Sequence, residues 1–190
     1  MAGAALIAVL VAAAAGAETR ERARWLEEAP FASWNKRGGE VPKAPAVEAA
    51  PESRCGGDAR PAASKEDKAV DSAGWSLVGA AQSFAGARLF LATAGYDGMC
   101  RPVEFQGFVF LGGRLAGLLS PAPMRSRTDG AVVAVRLLSE TSLEAEFARY
   151  LSQDPLCCPS RTTVVRYRIE PGQGDEGPLL VAERAIPAAR

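Results

Sequence analysis

The pattern of apolar and polar positions changes its period near Gly74. Beyond that point short runs alternate at the two-residue period of β-strands, separated by turns rich in Gly, Pro or Asp. Eight runs stand out: 75–81, 87–93, 105–111, 114–120, 131–138, 143–151, 163–169 and 179–184. FQGFVFL and RLAGLLS flank Gly112-Gly113, a strong hairpin signal because glycine accepts the positive φ of a tight turn. Both faces of FQGFVFL are apolar, which predicts a central strand covered on two sides. Gly107 and Gly117 inside these runs mark a bulge or a close contact.

The segment at 131–138 alternates so that Val133, Val135 and Leu137 share one face. LEAEFARYL also fits a helix, but a charge argument favours a strand. As a strand it buries Leu143, Ala145 and Phe147, while its neighbour buries Val165, Tyr167 and Ile169. With Glu146 opposite Arg166, the exposed faces of the pair carry complementary charge. The connecting loop, SQDPLCCPSR, is then stiffened by Pro155 and Pro159 and pinned by both cysteines.

Upstream of Gly74 the pattern differs. Residues 1–17 hold an apolar run ending in Ala15-Gly16-Ala17, which fits a signal peptide cleaved after Ala17. The rival is a membrane anchor, but a helix of roughly 16 residues spans only about 24 Å against a hydrocarbon core of about 30 Å. Glu18 stands where a lipoprotein signal would place Cys, so no lipid anchor is expected and the mature chain carries no transmembrane span. Residues 18–63 read as an arm followed by a Pro/Ala-rich linker that cannot build a core. A short helix over 19–28 ends at Pro30, and Trp25, Phe31 and Trp34 are expected to dock the arm. Ser64 caps a helix over 64–72, with Glu66 and Asp67 at its positive end. The domain proper is placed at 64–190. The fold class is α+β to mainly β: one antiparallel domain of about seven or eight strands with one flanking helix, stapled by disulfides.

Composition then narrows the chemistry. Acidic and basic residues balance at 22 each and histidine is absent. No net field favours nucleic acid, and His-dependent triads, His-ligated zinc and H-E-x-x-H proteases are excluded. Ser33-Trp34-Asn35-Lys36 matches S-x-x-K by chance, since its companion motifs are missing. The four cysteines, Cys55, Cys100, Cys157 and Cys158, suggest two bridges in an exported chain. Neighbours in an extended segment point to opposite faces, so Cys55 and Cys100 are each expected to join one of the Cys157-Cys158 pair. A Cys157–Cys158 bridge ranks last because it closes an eight-membered ring. A four-thiolate zinc site lacks C-x-x-C spacing, and a redox pair lacks the helix start that lowers a thiol pKa. No metal and no cofactor is expected.

Three polar clusters remain: 96–102, 124–130 and 154–161. One reading gathers Asp97, Arg101, Arg125, Arg127, Asp129 and Arg161 around a pocket for an anionic ligand. The other treats them as turn chemistry and loop ion pairs. Neither assembles a catalytic constellation.

The same residues carry a family likeness. DGMCRP (97–102), FVF (108–110), LSPAPM (119–124), SRTDG (126–130), RY (149–150) and DPLCCPSR (154–161) occur in that order, with RPA (60–62) and AGW (73–75) upstream. This arrangement, over roughly 55–170, resembles the LppP/LprE lipoprotein family. The resemblance implies an exported cell-envelope protein of unassigned biochemical role and supplies no catalytic residues. The function expected is a noncatalytic structural or binding module for an envelope macromolecule. The alternative is a small-molecule binder or hydrolase that uses the Asp/Arg clusters.

Overall fold

The computed structural model describes residues 21–48, 55 and 59–189, so the expected signal peptide and much of the linker around Cys55 lie outside it. Eight strands follow in order: β1 (Ser76–Phe84), β2 (Ala87–Tyr96), β3 (Pro102–Leu111), β4 (Arg114–Leu118), β5 (Val132–Ser139), β6 (Ser142–Arg149), β7 (Arg161–Glu170) and β8 (Leu179–Ala189). They form two four-stranded antiparallel meanders, β1-β2-β3-β4 and β5-β6-β7-β8. Helix α1 (Lys65–Ser72) precedes them, and Arg24–Glu27 forms a single 3-10 turn. In α1 the Asp67 amide donates to Ser64 Oγ while the Ser64 amide donates to Asp67 Oδ2, both at 3.1 Å. That capping box fixes the helix start at the expected serine.

The inner faces of the sheets share one core. Leu89, Val109 and Leu119 meet Leu143, Phe147, Val165, Tyr167 and Leu180 there. On its outer face the first sheet buries Leu77, Phe90, Phe108 and Phe110 beneath Val70 of α1 and the arm at Val41 and Ala44. Strand β3 is therefore buried on both sides, which explains its continuous apolar sequence. The second sheet instead turns its outer face to water, with Arg166–Glu144 at 2.6 Å and Arg168–Glu183 at 2.7 Å.

Two pairing expectations need correction. Arg166 lies opposite Glu144, while Glu146 faces Val164. The slip is two residues, so every side chain keeps its expected face and only the ion pair changes. In β5, Val133 is 43 % exposed, and Val132, Val135 and Leu137 pack inward instead. A register shift between Val132 and Ala134 causes this, because one extra residue reverses the phase of the pleat.

The sheet edges approach one another at two seams, β1 with β5 and β4 with β8. Gln82 of β1 closes the first: its Nε2 donates to Val135 O at 2.8 Å and its Oε1 accepts from Leu137 N at 2.8 Å. Asn35 of the arm closes the second. Its Nδ2 donates to Leu118 O and Leu180 O at 3.1 Å each, and its Oδ1 accepts from Leu118 N at 2.8 Å. Gly117 makes this possible, since a Cβ there would occupy the space of the Asn35 amide. Each amide side chain offers a donor and an acceptor, like a peptide unit, and so satisfies strand edges that the ladder leaves open.

The arm is anchored by aromatic packing. Trp25 meets Phe147, Trp34 and Phe31 with ring centroids 5.1, 4.9 and 5.8 Å apart. Trp25 and Leu26 belong to the central core. The Trp34 indole also donates to Leu118 O at 2.9 Å.

The cysteine pairing departs from expectation. Cys55 bonds Cys100, and Cys157 bonds Cys158. The expectation required an extended segment at Cys157-Cys158. The chain turns there instead, with Cys158 N donating to Pro155 O at 2.9 Å, and both residues face solvent. Cys55, by contrast, is buried beside the β2–β3 loop that carries Cys100.

A cleft beneath the arm

Strand β8 extends well past the end of the five-residue β4, so its second half has no partner from the first sheet. The arm crosses near that gap at 26–31. Between them lies a cleft of about 700 Å³. Leu26, Ala29, Pro30 and Phe31 form one wall, and Thr163, Ala185 and Pro187 face them from β7 and β8. Asp129, Arg149, Tyr150 and Arg161 line the end near the β6–β7 loop.

The polar groups of this end are organised around Arg149. Its Nε donates to Asp129 Oδ1 at 3.1 Å and its Nη2 to Glu27 Oε1 at 2.5 Å. Burial opposes the Arg149 charge, but these hydrogen bonds and the nearby carboxylates hold its pKa above the ordinary arginine value. Asp129 Oδ1 also accepts from Tyr150 N at 2.9 Å. Glu27 belongs to the arm, so one guanidinium joins the arm to the end of β6. Arg161 and Arg184, which also line the cleft, form no ion pair with a described residue.

Of the residues singled out in the sequence, Asp129 and Arg161 meet at this cleft and the rest do not. Asp97 and Arg101 pair with each other: Oδ2 accepts from Arg101 Nε at 2.6 Å, and Oδ1 accepts from the Met99 and Arg101 amides. The Arg101 side-chain bond, then its amide, draws the Asp97 pKa below the ordinary value. Arg125 and Arg22 clamp the buried Glu104 from two sides, at 2.5 and 2.8 Å. Arg127 is exposed, with φ at 60° in the turn leading to β5. These six residues thus divide among an Asx-type turn, a buried carboxylate clamp, an exposed turn and the cleft.

Sequence reasoning missed Arg149, Tyr150, Thr163 and Arg184, together with the whole arm wall. Strand phase offered one signal: Thr163 shares the inward face of Val165 and Tyr167, yet lies at the strand end where the core gives out. Nothing local to the arm identifies what it will cover.

The loop of 150–160 borders the cleft and is folded by one carboxylate. Asp154 Oδ2 accepts from Leu151 N at 2.8 Å and from Ser160 N and Oγ at 2.9 Å. The Leu151 and Ser160 amides are the main reason its pKa falls below the ordinary value. Tyr150 Oη donates to Leu156 O at 3.0 Å, connecting the cleft rim to the loop tip.

These elements include the most distinctive part of a known family pattern. Residues 86–172 match the LppP/LprE lipoprotein family model. The LppP/LprE region runs from the β1–β2 turn through the end of β7, so it contains Asp129, Arg149 and Arg161. It does not extend to the arm, α1, Cys55 or β8, although the upstream motifs RPA and AGW had suggested a longer likeness. The lipoprotein match suggests a cell-envelope protein. Searches of curated proteins and of solved structures find no match to this chain. Among the described residues, no helix is long and apolar enough to cross a membrane. Nor do those residues contain a group of three or more His, Cys, Asp or Glu side chains able to hold a metal ion.

Proposed function

We propose that the protein is an exported, noncatalytic binding module of the cell envelope that takes an anionic, partly apolar ligand in the cleft beneath the arm. The observation carrying this reading is the division of charge within the cleft. Of its four carboxylates, Asp129 and Glu27 are held by Arg149 and Glu183 by Arg168, leaving only Glu28 outside an ion pair, whereas Arg161 and Arg184 form no ion pair within 4 Å with a described residue. Paired carboxylates are poorly placed to exchange protons with a substrate, and unpaired guanidiniums suit a carboxylate, sulfonate or phosphate. The aliphatic arm wall supplies the apolar contact that such pockets use for affinity. Export is supported by the apolar run at 1–17 and by the lipoprotein match.

The test is fluorescence titration of the mature protein with anilinonaphthalene sulfonate, a probe that is both anionic and apolar. Saturable one-to-one binding is expected, weakened at least about tenfold by Arg161→Ala combined with Arg184→Ala. Pro187→Trp, at an exposed position of the cleft lining, should block the site while leaving the unfolding midpoint close to the parent's. Unsaturable binding, or saturable binding indifferent to all three substitutions, would overturn the proposal.

A further inference from the structure

The two disulfides differ in how they are shielded: one end of the first, Cys100, is exposed and its other end is buried, whereas both ends of the second are exposed. Cys55 is 6 % exposed, and its bridge ties the segment before α1 to the β2–β3 loop across 45 residues. Cys157 and Cys158 are both exposed, adjacent in sequence and placed at the tip of the β6–β7 loop. Pro155 and Pro159 flank them, and Leu156 beside them is 70 % exposed. A thiolate must approach a disulfide sulfur from solvent, and opening Cys55–Cys100 must also release the buried Cys55 and a 45-residue link, whereas Cys157–Cys158 offers two exposed ends within one loop tip. The base of the loop is secured independently of the cysteines, because Asp154 binds Leu151 and Ser160 on its two sides. The tip can therefore open without releasing β6 from β7.

We propose that Cys157–Cys158 is a thiol–disulfide exchange site for a dithiol reductant, with Cys55–Cys100 remaining as the structural bridge. One reductant thiolate attacks either exposed sulfur, forming a mixed disulfide and freeing the other cysteine as a thiolate. The second reductant thiol then displaces the mixed disulfide. Two electrons pass to the protein, the reductant leaves as its own disulfide, and its two protons end on Cys157 and Cys158. Opening the ring of eight atoms frees the peptide between the cysteines and relaxes the Pro155–Cys158 turn. Leu156 moves with that turn, and its carbonyl holds the Tyr150 hydroxyl at the cleft rim. The exchange site does not depend on the cleft having the ligand proposed above.

The experiment is graded reduction of the full mature protein with dithiothreitol, followed by alkylation and peptide mass analysis. Cys157 and Cys158 should become alkylated at a reductant concentration at least about tenfold below that needed for Cys55 and Cys100. Over the same range, amide hydrogen exchange should rise in 151–160 and stay unchanged in β2, β3 and the centres of β6 and β7. The variant Cys157→Ser with Cys158→Ser should show that raised exchange without reductant. Simultaneous opening of both bridges, earlier opening of Cys55–Cys100, or alkylation of Cys157 and Cys158 without reductant would overturn the proposal. So would a serine variant whose exchange equals that of the oxidised parent.

Discussion

Gln82 and Asn35 close opposite edges of the molecule with the same amide chemistry, yet they come from different kinds of chain. Gln82 belongs to β1, one of the two strands that it joins. Its seam can close whenever the sheets meet. Asn35 lies outside every strand and reaches β4 and β8 only because the arm has docked. The β4/β8 edge relies further on the arm at Arg37, which donates to Gly177 O at 3.1 Å and binds Glu170 at 2.6 Å. One seam is thus a property of the sheets and the other a property of the arm. The cleft opens on the second, where β4 is short and the arm stands in for a strand.

Removing the arm's anchor is the strongest way to break that contrast. Trp25→Ala should cost about 3–5 kcal/mol, as expected for truncating a buried aromatic. Denaturant unfolding would measure it, and hydrogen exchange should rise first at the Leu118 amide, which Asn35 Oδ1 holds. A loss below about 1 kcal/mol would mean that the β4/β8 seam closes without the arm. Asn35→Ala comes next, at about 2–3 kcal/mol, because it removes the partner of Leu118 N and the Asn35 donor from the Leu180 carbonyl, and leaves Leu118 O to the Trp34 indole alone. Gln82→Ala breaks two bonds at a half-exposed site and should cost about 1 kcal/mol. Equal losses at the two amides would erase the proposed asymmetry.

The same contrast explains what could be read in the sequence. Each strand announces itself through local period, and α1 through Ser64 and Asp67, because these signals are decided within a few residues. The two-sided burial of β3 was legible for that reason. Register was not: Glu146 and Glu144 both satisfy the face pattern opposite Arg166, and a shift of two leaves no trace in polarity. The β5 bulge escaped because nothing in AVVAVRLL marks the residue that drops out of phase. Asn35 is the chain's one asparagine, but its value depends on β4 and β8 meeting more than 80 residues downstream. The cleft shares that difficulty, being assembled from 26–31, the end of β6 and the far half of β8. Cysteine pairing failed for a related cause: the loop's own turn, held by Asp154, replaced the extended geometry that long-range bridges required.

The smallest effect sharpens the comparison at the self-closed seam. Beyond Gln82, the hairpin turns at that edge are joined by Glu140 Oε1, which accepts from Gly86 N at 3.0 Å. The contact is exposed, so Glu140→Ala should cost no more than about 0.5 kcal/mol. Its interest lies in combination with Gln82→Ala. Both side chains bridge the β1–β2 and β5–β6 hairpins, so loss of either loosens the geometry that the other needs. Together they should cost more than their separate losses by a few tenths of a kcal/mol, the sign of shared partners. Glu140→Ala combined with Asn35→Ala should instead be additive, since the arm-dependent seam lies at the other pair of edges. Coupling between Glu140 and Asn35 as large as that between Glu140 and Gln82 would show that the seams close in one concerted step rather than separately.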